Sequence, residues 1–343
     1  MVKKAALAIV IALLTFFLIV PFLSYSSYKQ AIKKEYFNHL VTTRDLLKLQ
    51  IWNYFNERYG DIDVLSRNPV IAKGFTRLSG AFHAYGLQNE QFLKIKSIYQ
   101  PLMEYYVSAY GYANIYFIDK EGSVIYSALL EDFSGTDLFV GEYKEHRIAK
   151  MFKMALDDVS FGDYSWNDKV NDFTAYFAAP VFEAESMLGV IAIEIPFAHL
   201  DTMLTQRAGL GQTGEMYLVG EDGLMRSNSR FSVTPTMLQK EVNTEATREA
   251  FEGYVGTKII EDYRGVSVLS AYTPLNLNFI NWALLVEIDE AEAFAPIYYV
   301  EKKMTIYGSI IGAITIGYIY FTYRAYKKEE EHDILVPEEQ SKA

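Results

Sequence analysis

The chain reads ANIYFIDKEGSVIYS over residues 113–127 and EMYLVGEDGLMRS over residues 215–227. In each stretch, apolar and aromatic residues of high strand propensity lead into a short polar turn that contains a glycine, and a second strand-like run follows. This pattern predicts a β-hairpin in both places. The two turn glycines, Gly122 and Gly223, are 101 residues apart.

The strands predicted after each hairpin recur as well. Residues 173–181 and 189–195 form one strand-like pair, and residues 266–274 and 282–288 form a second. The triplet IEI at 193–195 is followed 93 residues later by VEI, and AP at 179–180 is followed 94 residues later by TP. Repetition at nearly constant spacing predicts two similar α/β modules in tandem.

A long helix is predicted ahead of the first module. Residues 27–65 contain no proline and one glycine, Gly60, and their apolar and aromatic residues recur mostly at steps of three and four. This spacing places a buried stripe along one helix face. The helix can serve as the spine on which the modules pack, as a seam between two copies, or as both.

Two uncharged apolar segments, Ala5–Leu23 and Met304–Tyr323, flank the rest of the chain. Each has close to the ~20 residues that a helix needs to cross a bilayer. The first is longer than a signal-peptide core and lacks an A-x-A cleavage site, so we interpret it as an uncleaved anchor. Flanking basic residues number five on each side and do not set the orientation, but a stub with Lys3 and Lys4 favours retention inside. We therefore expect a two-pass protein of the cell membrane, the inner membrane in a Gram-negative cell, with its main domain extracytoplasmic.

Composition limits the function further. The chain has 343 residues, no cysteine and a net charge of −11. Disulfides, thiolate nucleophiles and cysteine-ligated metal sites are excluded, and an acidic chain without basic clusters outside the membrane flanks is not expected to bind nucleic acid. The five histidines are scattered, and no metalloprotease, nucleophile-elbow or P-loop motif occurs. We expect no catalytic residues, no metal, no cofactor and no enzymatic activity.

One stretch carries a resemblance to a known family. Residues 209–220 read GLGQTGEMYLVG and residues 225–231 read MRSNSRF, which is similar to a G-x-T-G-E-x-Y-L-V stretch with a downstream R-S-x-S-R. Together with the long helix, the two modules and the flanking apolar segments, this resembles the double Cache (dCache) domain of bacterial and archaeal receptors. The resemblance implies an α+β fold with two PAS-like (Cache) modules, each an antiparallel sheet flanked by helices. It also implies a small-molecule ligand in the membrane-distal module.

The same glycine run fits the string G-x-G-x-x-G of dinucleotide-binding proteins. That motif needs a strand before it and a helix after it, whereas here residues 197–207 are predicted to be helical and a strand follows. We interpret the run as a helix end and a turn. The following segment RSNSR at 226–230 could bind an anion, but we favour a hydrogen-bonded turn that packs the two modules together.

The resulting organisation is a stub (1–4), a first membrane helix (5–23), an extracytoplasmic domain (24–303), a second membrane helix (304–323) and a short disordered acidic tail (324–343). Within the domain we expect a helical spine (27–97), a distal module (98–200) and a membrane-proximal module (201–303).

The ligand site is expected in the distal module, between the second hairpin strand, the cover segment 143–147, a loop at 161–166 and the strand at 173–176. Its predicted contacts are Tyr126, Tyr143, Arg147, Asp163, Tyr164 and Tyr176. In amino-acid-binding relatives, an R-x-W-Y cluster binds the ligand carboxylate and an aspartate meets the ammonium. This chain has no R-x-W-Y, so the resemblance implies only that Arg147 and Asp163 occupy the corresponding regions; for Arg147, a surface ion pair is an equal alternative.

The expected function is that of a ligand sensor of the signal-transduction or chemotaxis type. No output domain follows residue 328, so we expect the signal to pass in trans to a homodimer mate or a partner membrane signalling protein; the motif Gly308-x-x-x-Gly312 allows close helix approach. Two alternatives stay open. One is a scaffold or accessory subunit that binds a protein partner and no metabolite, and the other is an extracytoplasmic enzyme.

Overall fold

The computed structural model describes residues 2–129, 133–168, 170–206 and 209–340, without the side chains of 2–18, 20–24 and 329–340. It forms two compact units, residues 39–289 and residues 1–38 with 290–343. The helices are α1 (Val2–Ser66), α2 (Pro69–Tyr85), α3 (Glu90–Tyr110), α4 (Arg147–Ala155), α5 (Ala198–Leu204), α6 (Glu245–Phe251), α7 (Glu290–Ala293) and α8 (Ala295–Gln340). The strands are β1 (Asn114–Asp119), β2 (Val124–Ser127), β3 (Ser160–Asn167), β4 (Asp172–Glu183), β5 (Ser186–Pro196), β6 (Glu215–Gly220), β7 (Gly256–Glu261), β8 (Ser267–Pro274) and β9 (Trp282–Asp289).

The first module is a five-stranded antiparallel sheet in the order β2-β1-β5-β4-β3. Helix α4 covers one face, where Met151 and Phe152 join a buried apolar cluster with side chains of β1, β4 and β5. Helices α2 and α3 lie against the opposite face, where Phe75 stacks on Phe117 with ring centroids 5.2 Å apart. Both faces are buried, which explains why the central strands are almost continuously apolar.

The second module is a four-stranded antiparallel sheet in the order β6-β9-β8-β7. Helix α6 covers one face through Ala246 and Ala250, which contact a cluster that includes Tyr217 and Leu285. A reciprocal capping box between Thr244 and Thr247 begins this helix. Both sheets therefore have one helix-covered face of the same construction.

Helix α1 joins the two modules. Its Phe55 is fully buried and meets Phe161 of the first module edge-on at 5.7 Å and Trp282 of the second at 5.5 Å. Such aromatic pairs add to the stabilisation from area burial alone. Residues on the buried stripe, such as Ile51 and Ile62, have no exposed surface.

The structure confirms a mixed α+β fold with antiparallel sheets and a long N-terminal helix. The predicted strands at 173–181, 189–195, 266–274 and 282–288 correspond to β4, β5, β8 and β9, and the predicted helix at 27–65 lies within α1. The glycine run lies between α5 and β6, with φ of +85° at Gly209 and +67° at Gly211, so its interpretation as a turn is confirmed.

One local prediction was wrong, and another holds only in part. Residues 161–166 are not a loop but most of strand β3, which pairs with β4 and carries a bulge between Gly162 and Ser165. In the second hairpin, the arm after Gly223 makes only isolated bridges, such as Val219 with Met225. The arm stays beside β6, since the N–H of Arg226 donates to the carbonyl oxygen of Leu218, and on its other edge the N–H of Met225 donates to the carbonyl oxygen of Lys240.

The other unit contains α8. Residues 295–328 are long and apolar enough to cross a membrane by length and composition, and no other such helix is found in the part of the chain that was described. The predicted span 304–323 lies inside it. The predicted first span, Ala5–Leu23, is helical as part of α1, but its side chains apart from Ile19 lie outside the described residues. The two-pass topology stays a prediction.

Candidate ligand site in the first module

A buried carboxylate lies at the centre of the covered face. Glu194 on β5 has no exposed surface and is flanked by apolar residues on its strand. Its Oε2 accepts a hydrogen bond from the hydroxyl of Tyr116 at 2.8 Å, and its Oε1 accepts from the hydroxyl of Tyr176 and from Nδ2 of Asn167, both at 2.9 Å. Four strands therefore contribute to one polar network. Burying a carboxylate is costly unless hydrogen bonds or a countercharge compensate, and these three hydrogen bonds offset part of that cost.

An aromatic cluster connects this network to the cover. The ring of Phe133 meets Tyr116 at 5.7 Å and, from the other side, Tyr143 at 4.9 Å and His146 at 5.2 Å. His146 is the N-cap of α4, where its Nδ1 accepts from the backbone N–H of Ile148. Burial lowers the pKa of His146, while the Glu194 carboxylate opposes this and Arg147 adds to it. The neutral imidazole is thus favoured, as its acceptor role at the cap requires.

Arg147 is the first residue of α4 and is half-buried. Its side chain packs closely on β3 at Gly162. A Cβ added to Gly162 would lie 3.3 Å from the Cγ of Arg147, so this position of β3 has little room for a larger residue. In the described structure its guanidinium forms no ion pair, so the surface ion pair considered above is not observed. Arg147 and Glu194 act on the pKa of the half-buried His146 in opposite directions.

Of the six predicted contacts, Tyr143, Arg147 and Tyr176 lie on the covered face. Tyr143 packs against the apolar cluster beneath α4, and Tyr176 is a buried member of it. These three residues and Glu194 lie on the same side of the sheet. His146 is there too, next to Arg147 in the chain and with its ring 6.1 Å from that of Tyr143.

The structure does not bring Tyr126 to this face. In the β1–β2 register Tyr126 is opposite Phe117, and the two rings are 5.1 Å apart on the side of α2 and α3. The Tyr126 hydroxyl donates to Gln100 of α3, and Lys96 lies over the ring. Because successive strand residues alternate between faces, a shift of one position in a strand prediction moves the side chain to the opposite face.

Asp163 and Tyr164 also face away from α4. Asp163 Oδ2 accepts from Nε and Nη2 of Arg226 in the second module, at 3.0 and 2.9 Å. Tyr164 is fully buried against Phe197 and Trp282, with ring centroids at 5.6 and 6.2 Å. The bulge in β3 changes the alternation at this point. The interpretation of residues 226–230 as a segment that packs the modules together is confirmed for Arg226.

Sequence reasoning missed the carboxylate itself. Glu194, Tyr116 and Asn167 were not singled out, although a signal was present: a glutamate inside an apolar strand recurs as Glu287, and Tyr116 recurs 101 residues later as Tyr217. In the second module the Tyr217 hydroxyl likewise donates to Glu287, at 2.9 Å. A repeated tyrosine–glutamate pair in two buried strands indicates a structural or binding role that composition alone does not show.

Two other features of residues 39–289 could bind a ligand or an ion, but both are more exposed than the network around Glu194. An open cleft of about 460 Å³ lies where α1, the α4–β3 connection and the β8–β9 connection meet, and its lining includes Trp52, Asp158 and Asn276. Beside the first hairpin, the possible metal-ligand atoms of His83 on α2 and of Asp119 and Glu121 lie within 4.8 Å of one another. His83 and Glu121 are exposed and Asp119 already accepts from His83 and from the Ser123 N–H, so we assign no metal to this group.

Comparison with known families identifies the domain. The Cache domain (dCache_1) matches residues 24–297. The chain belongs to the Cache family. No curated protein sequence matches the chain.

Solved structures of low sequence identity share the fold. The ligand-binding domain of the Pseudomonas aeruginosa amino-acid chemoreceptor PctB, in complex with L-Gln, aligns at 13% identity over 75% of this chain and 93% of its own, with a TM-score of 0.51. The ligand-binding domain of the Pseudomonas fluorescens chemoreceptor CtaA, in complex with L-leucine, aligns at 14% identity over 77% of this chain and 99% of its own, with a TM-score of 0.50. The ligand-binding domain of the Campylobacter jejuni chemoreceptor Tlp3, in complex with L-valine, aligns at 11% identity over 77% of this chain and 97% of its own, with a TM-score of 0.53. All three structures are ligand-binding domains of chemoreceptors.

Proposed function

We propose that this Cache protein is a membrane-anchored sensor whose extracytoplasmic first module binds a small molecule carrying both an ammonium and a carboxylate group. The observation that carries the proposal is the buried Glu194 carboxylate, which no lysine or arginine neutralises among the described residues. A ligand ammonium supplies the missing charge, and the hydroxyls of Tyr116 and Tyr176 orient the carboxylate that receives it.

The other end of the ligand is assigned to Arg147. Its guanidinium has no carboxylate partner in the described structure and begins the helix that covers the network. Arginine binds carboxylates through two parallel hydrogen bonds, which fixes orientation as well as charge. Glu194 thereby takes the acidic role that the sequence assigned to Asp163, which is engaged by Arg226. The chemoreceptor domains of similar fold were solved with amino acids, which is consistent with this ligand class but, at 11–14% identity, rests on fold alone.

The site proposed for the ligand is therefore Tyr116, Tyr143, His146, Arg147, Asn167, Tyr176 and Glu194. Tyr126, Asp163 and Tyr164 stay predictions from the sequence, and their placement on other faces of the module does not favour contact with the same ligand. The output is proposed to pass to a homodimer mate or a partner signalling protein through the membrane helices.

The test is a thermal-shift screen of the full chain in detergent against the twenty L-amino acids, with acetate and methylammonium as half-ligand controls. A bound ligand at about 100 times its Kd stabilises the folded state by about 2.7 kcal/mol. We expect a shift with at least one amino acid and none with either half-ligand. If no amino acid binds to the wild type, the ligand class is wrong, and retention of an unliganded but folded partner complex would favour the scaffold alternative.

A further inference from the structure

The two sheets carry corresponding rows of residues across their helix-covered faces. In each row, neighbours are directly opposite one another in the strand register, and the central strand supplies a glutamate. The rows are Asn114–Glu194–Tyr176–Gly162 in the first module and Glu215–Glu287–Ser270–Lys258 in the second. Ser270 thus occupies the position of Tyr176.

This exchange leaves the second glutamate incompletely bonded. Glu287 is 2% exposed, and its Oε2 accepts from Tyr217 as Glu194 accepts from Tyr116. The tyrosine hydroxyl that would reach the other oxygen is missing, because serine is shorter. Within the described residues, Glu287 Oε1 and Ser270 Oγ are both buried without a hydrogen-bond partner. A buried carboxylate oxygen in this state strongly disfavours the ionised form.

The surrounding charges do not relieve it. Glu215 is directly opposite on β6, and Asp262 follows β7. Three basic residues of the module have other partners: Lys258 pairs with Glu245 and Glu249, Arg264 with Asp262 and Asp289, and Arg230 with the carbonyl oxygen of Gly214. The ammonium of Lys240 lies over the ring of Tyr263, 5.6 Å from its centroid. The hydroxyl of Tyr263 donates to Glu215.

Burial raises the pKa of Glu287 to about 7; the nearby hydroxyls of Ser270 and Tyr217 oppose this rise, and the negative charges of Asp262 and Glu215 add to it. Glu194, in contrast, accepts three hydrogen bonds on its two oxygens. The difference between the modules therefore follows from geometry.

We propose that Glu287 is a proton-binding site, which makes the second module a pH-sensing input separate from the ligand site in the first. Glu287 lies on β9, the last strand before α7 and α8 along the chain, and α8 contains the candidate membrane span. The sensory meaning rests on the proposed receptor function, whereas proton uptake by Glu287 does not.

The direct test is infrared spectroscopy of the full chain in detergent as pH is varied from about 5.5 to about 8.5, a range that brackets neutrality. We expect the carbonyl stretch of a protonated, buried carboxylic acid at the acid end and its loss through neutral pH. Glu287→Gln should lack this titrating band, and Glu194→Gln should keep it. A wild type without such a band, or a Glu287→Gln variant that retains it, overturns the proposal.

The effect of Glu287 ionisation on strand β9 is measured by amide hydrogen exchange of residues 282–289, after correction for the pH dependence of the intrinsic exchange rates. Ionisation of Glu287 should increase exchange in β9 of the wild type above neutral pH and leave that of Glu287→Gln unchanged. A titrating band without any change in β9 exchange contradicts the sensing role. His146 does not confuse the result, because its pKa is lowered and its titration lies in the first module. Failure of amino-acid binding, in contrast, leaves both readouts intact and bears only on the ligand proposal.

Discussion

A single glutamate on the central strand of each sheet shows how burial gives one residue type different chemistry. Glu194 has three hydrogen-bond donors, whereas Glu287 has one and an open oxygen. An apolar residue would pack in either place at lower cost, since desolvating a carboxylate is unfavourable by several kcal/mol. The roles that we propose, ligand binding for Glu194 and proton binding for Glu287, give each carboxylate a function beyond stability.

Arg147 is the residue whose replacement tests the ligand site most directly. Arg147→Ala should reduce amino-acid affinity by about 10- to 150-fold, which corresponds to about 1.5–3 kcal/mol for a charged hydrogen bond. The apo melting temperature should hardly change, because this guanidinium makes no ion pair in the described structure. Isothermal titration with the amino acid found in the screen measures the change. Lys150→Ala, which removes an exposed charge on the same helix, is the control and should bind like the wild type.

Replacement of Asp163 should have the opposite effect to replacement of Arg147, namely a loss of stability with little change in ligand affinity. Its ion pair with Arg226, whose side chain is 5% exposed, joins the two modules. Asp163→Asn should lower the free energy of unfolding by about 1–3 kcal/mol, since Arg226 keeps only Asp222 as an acidic partner. Ligand affinity should stay within about twofold, which is the size of a difference of about 0.4 kcal/mol. Denaturant unfolding of Asp163→Asn and of the exposed control Asp157→Asn provides the measurement; a large loss of affinity with unchanged stability would restore Asp163 to the ligand site.

At the scale of elements, the sequence predicted what local pattern determines. Alternating apolar runs with turn glycines gave both first hairpin strands and the strand pairs that follow, because period-two burial is written in consecutive residues. Strand β3 was taken for a loop, since Gly162, Asp163 and Ser165 have low strand propensity and are held by pairing with β4 and by a bulge. The face on which Tyr126 lies depends on register with Phe117, which a single strand does not reveal.

The candidate site was predictable only in part. The cover segment with Tyr143 and Arg147 was found because a resemblance to a family indicated its position. Glu194 was missed because its importance comes from Tyr116 and Asn167, which are 78 and 27 residues away along the chain. Only the folded sheet brings these groups together.

Helix α1 is the element that both modules share, and Phe55 is its central contact. Phe55→Ala should lower the free energy of unfolding by about 3–5 kcal/mol, because it removes a fully buried ring that packs on Phe161 and on Trp282. Leu49→Ala on the same helix is the control; this side chain is 54% exposed and its truncation should cost little. Chemical denaturation monitored by circular dichroism compares the two variants. Equal effects of both changes would contradict the role of α1 as a shared core.

On the scale of the whole molecule, the chain contains a Cache domain and a helix able to cross a membrane by length and composition. Residues 295–328 of α8 carry Gly308 and Gly312, and nothing lies within 4 Å of a Cβ added at either position. A ligand can change the output only if it binds two arrangements of the receptor with different affinity. We propose that the arrangements differ in how α8 packs against another membrane helix, for which small residues permit close approach.

Gly308→Leu or Gly312→Leu should therefore abolish dimer formation or co-purification of a partner in detergent, because a leucine side chain holds the two helices apart. Amino-acid affinity should not change. Gly317→Leu is the matched control: with about 3.6 residues per turn, position 317 is on the helix face opposite to 308 and 312, and it has equal free space. Light scattering of the three variants in the same detergent measures the association. If all three associate like the wild type and deletion of residues 329–343 releases the partner, the acidic tail is the coupling element and the proposed helix contact is wrong.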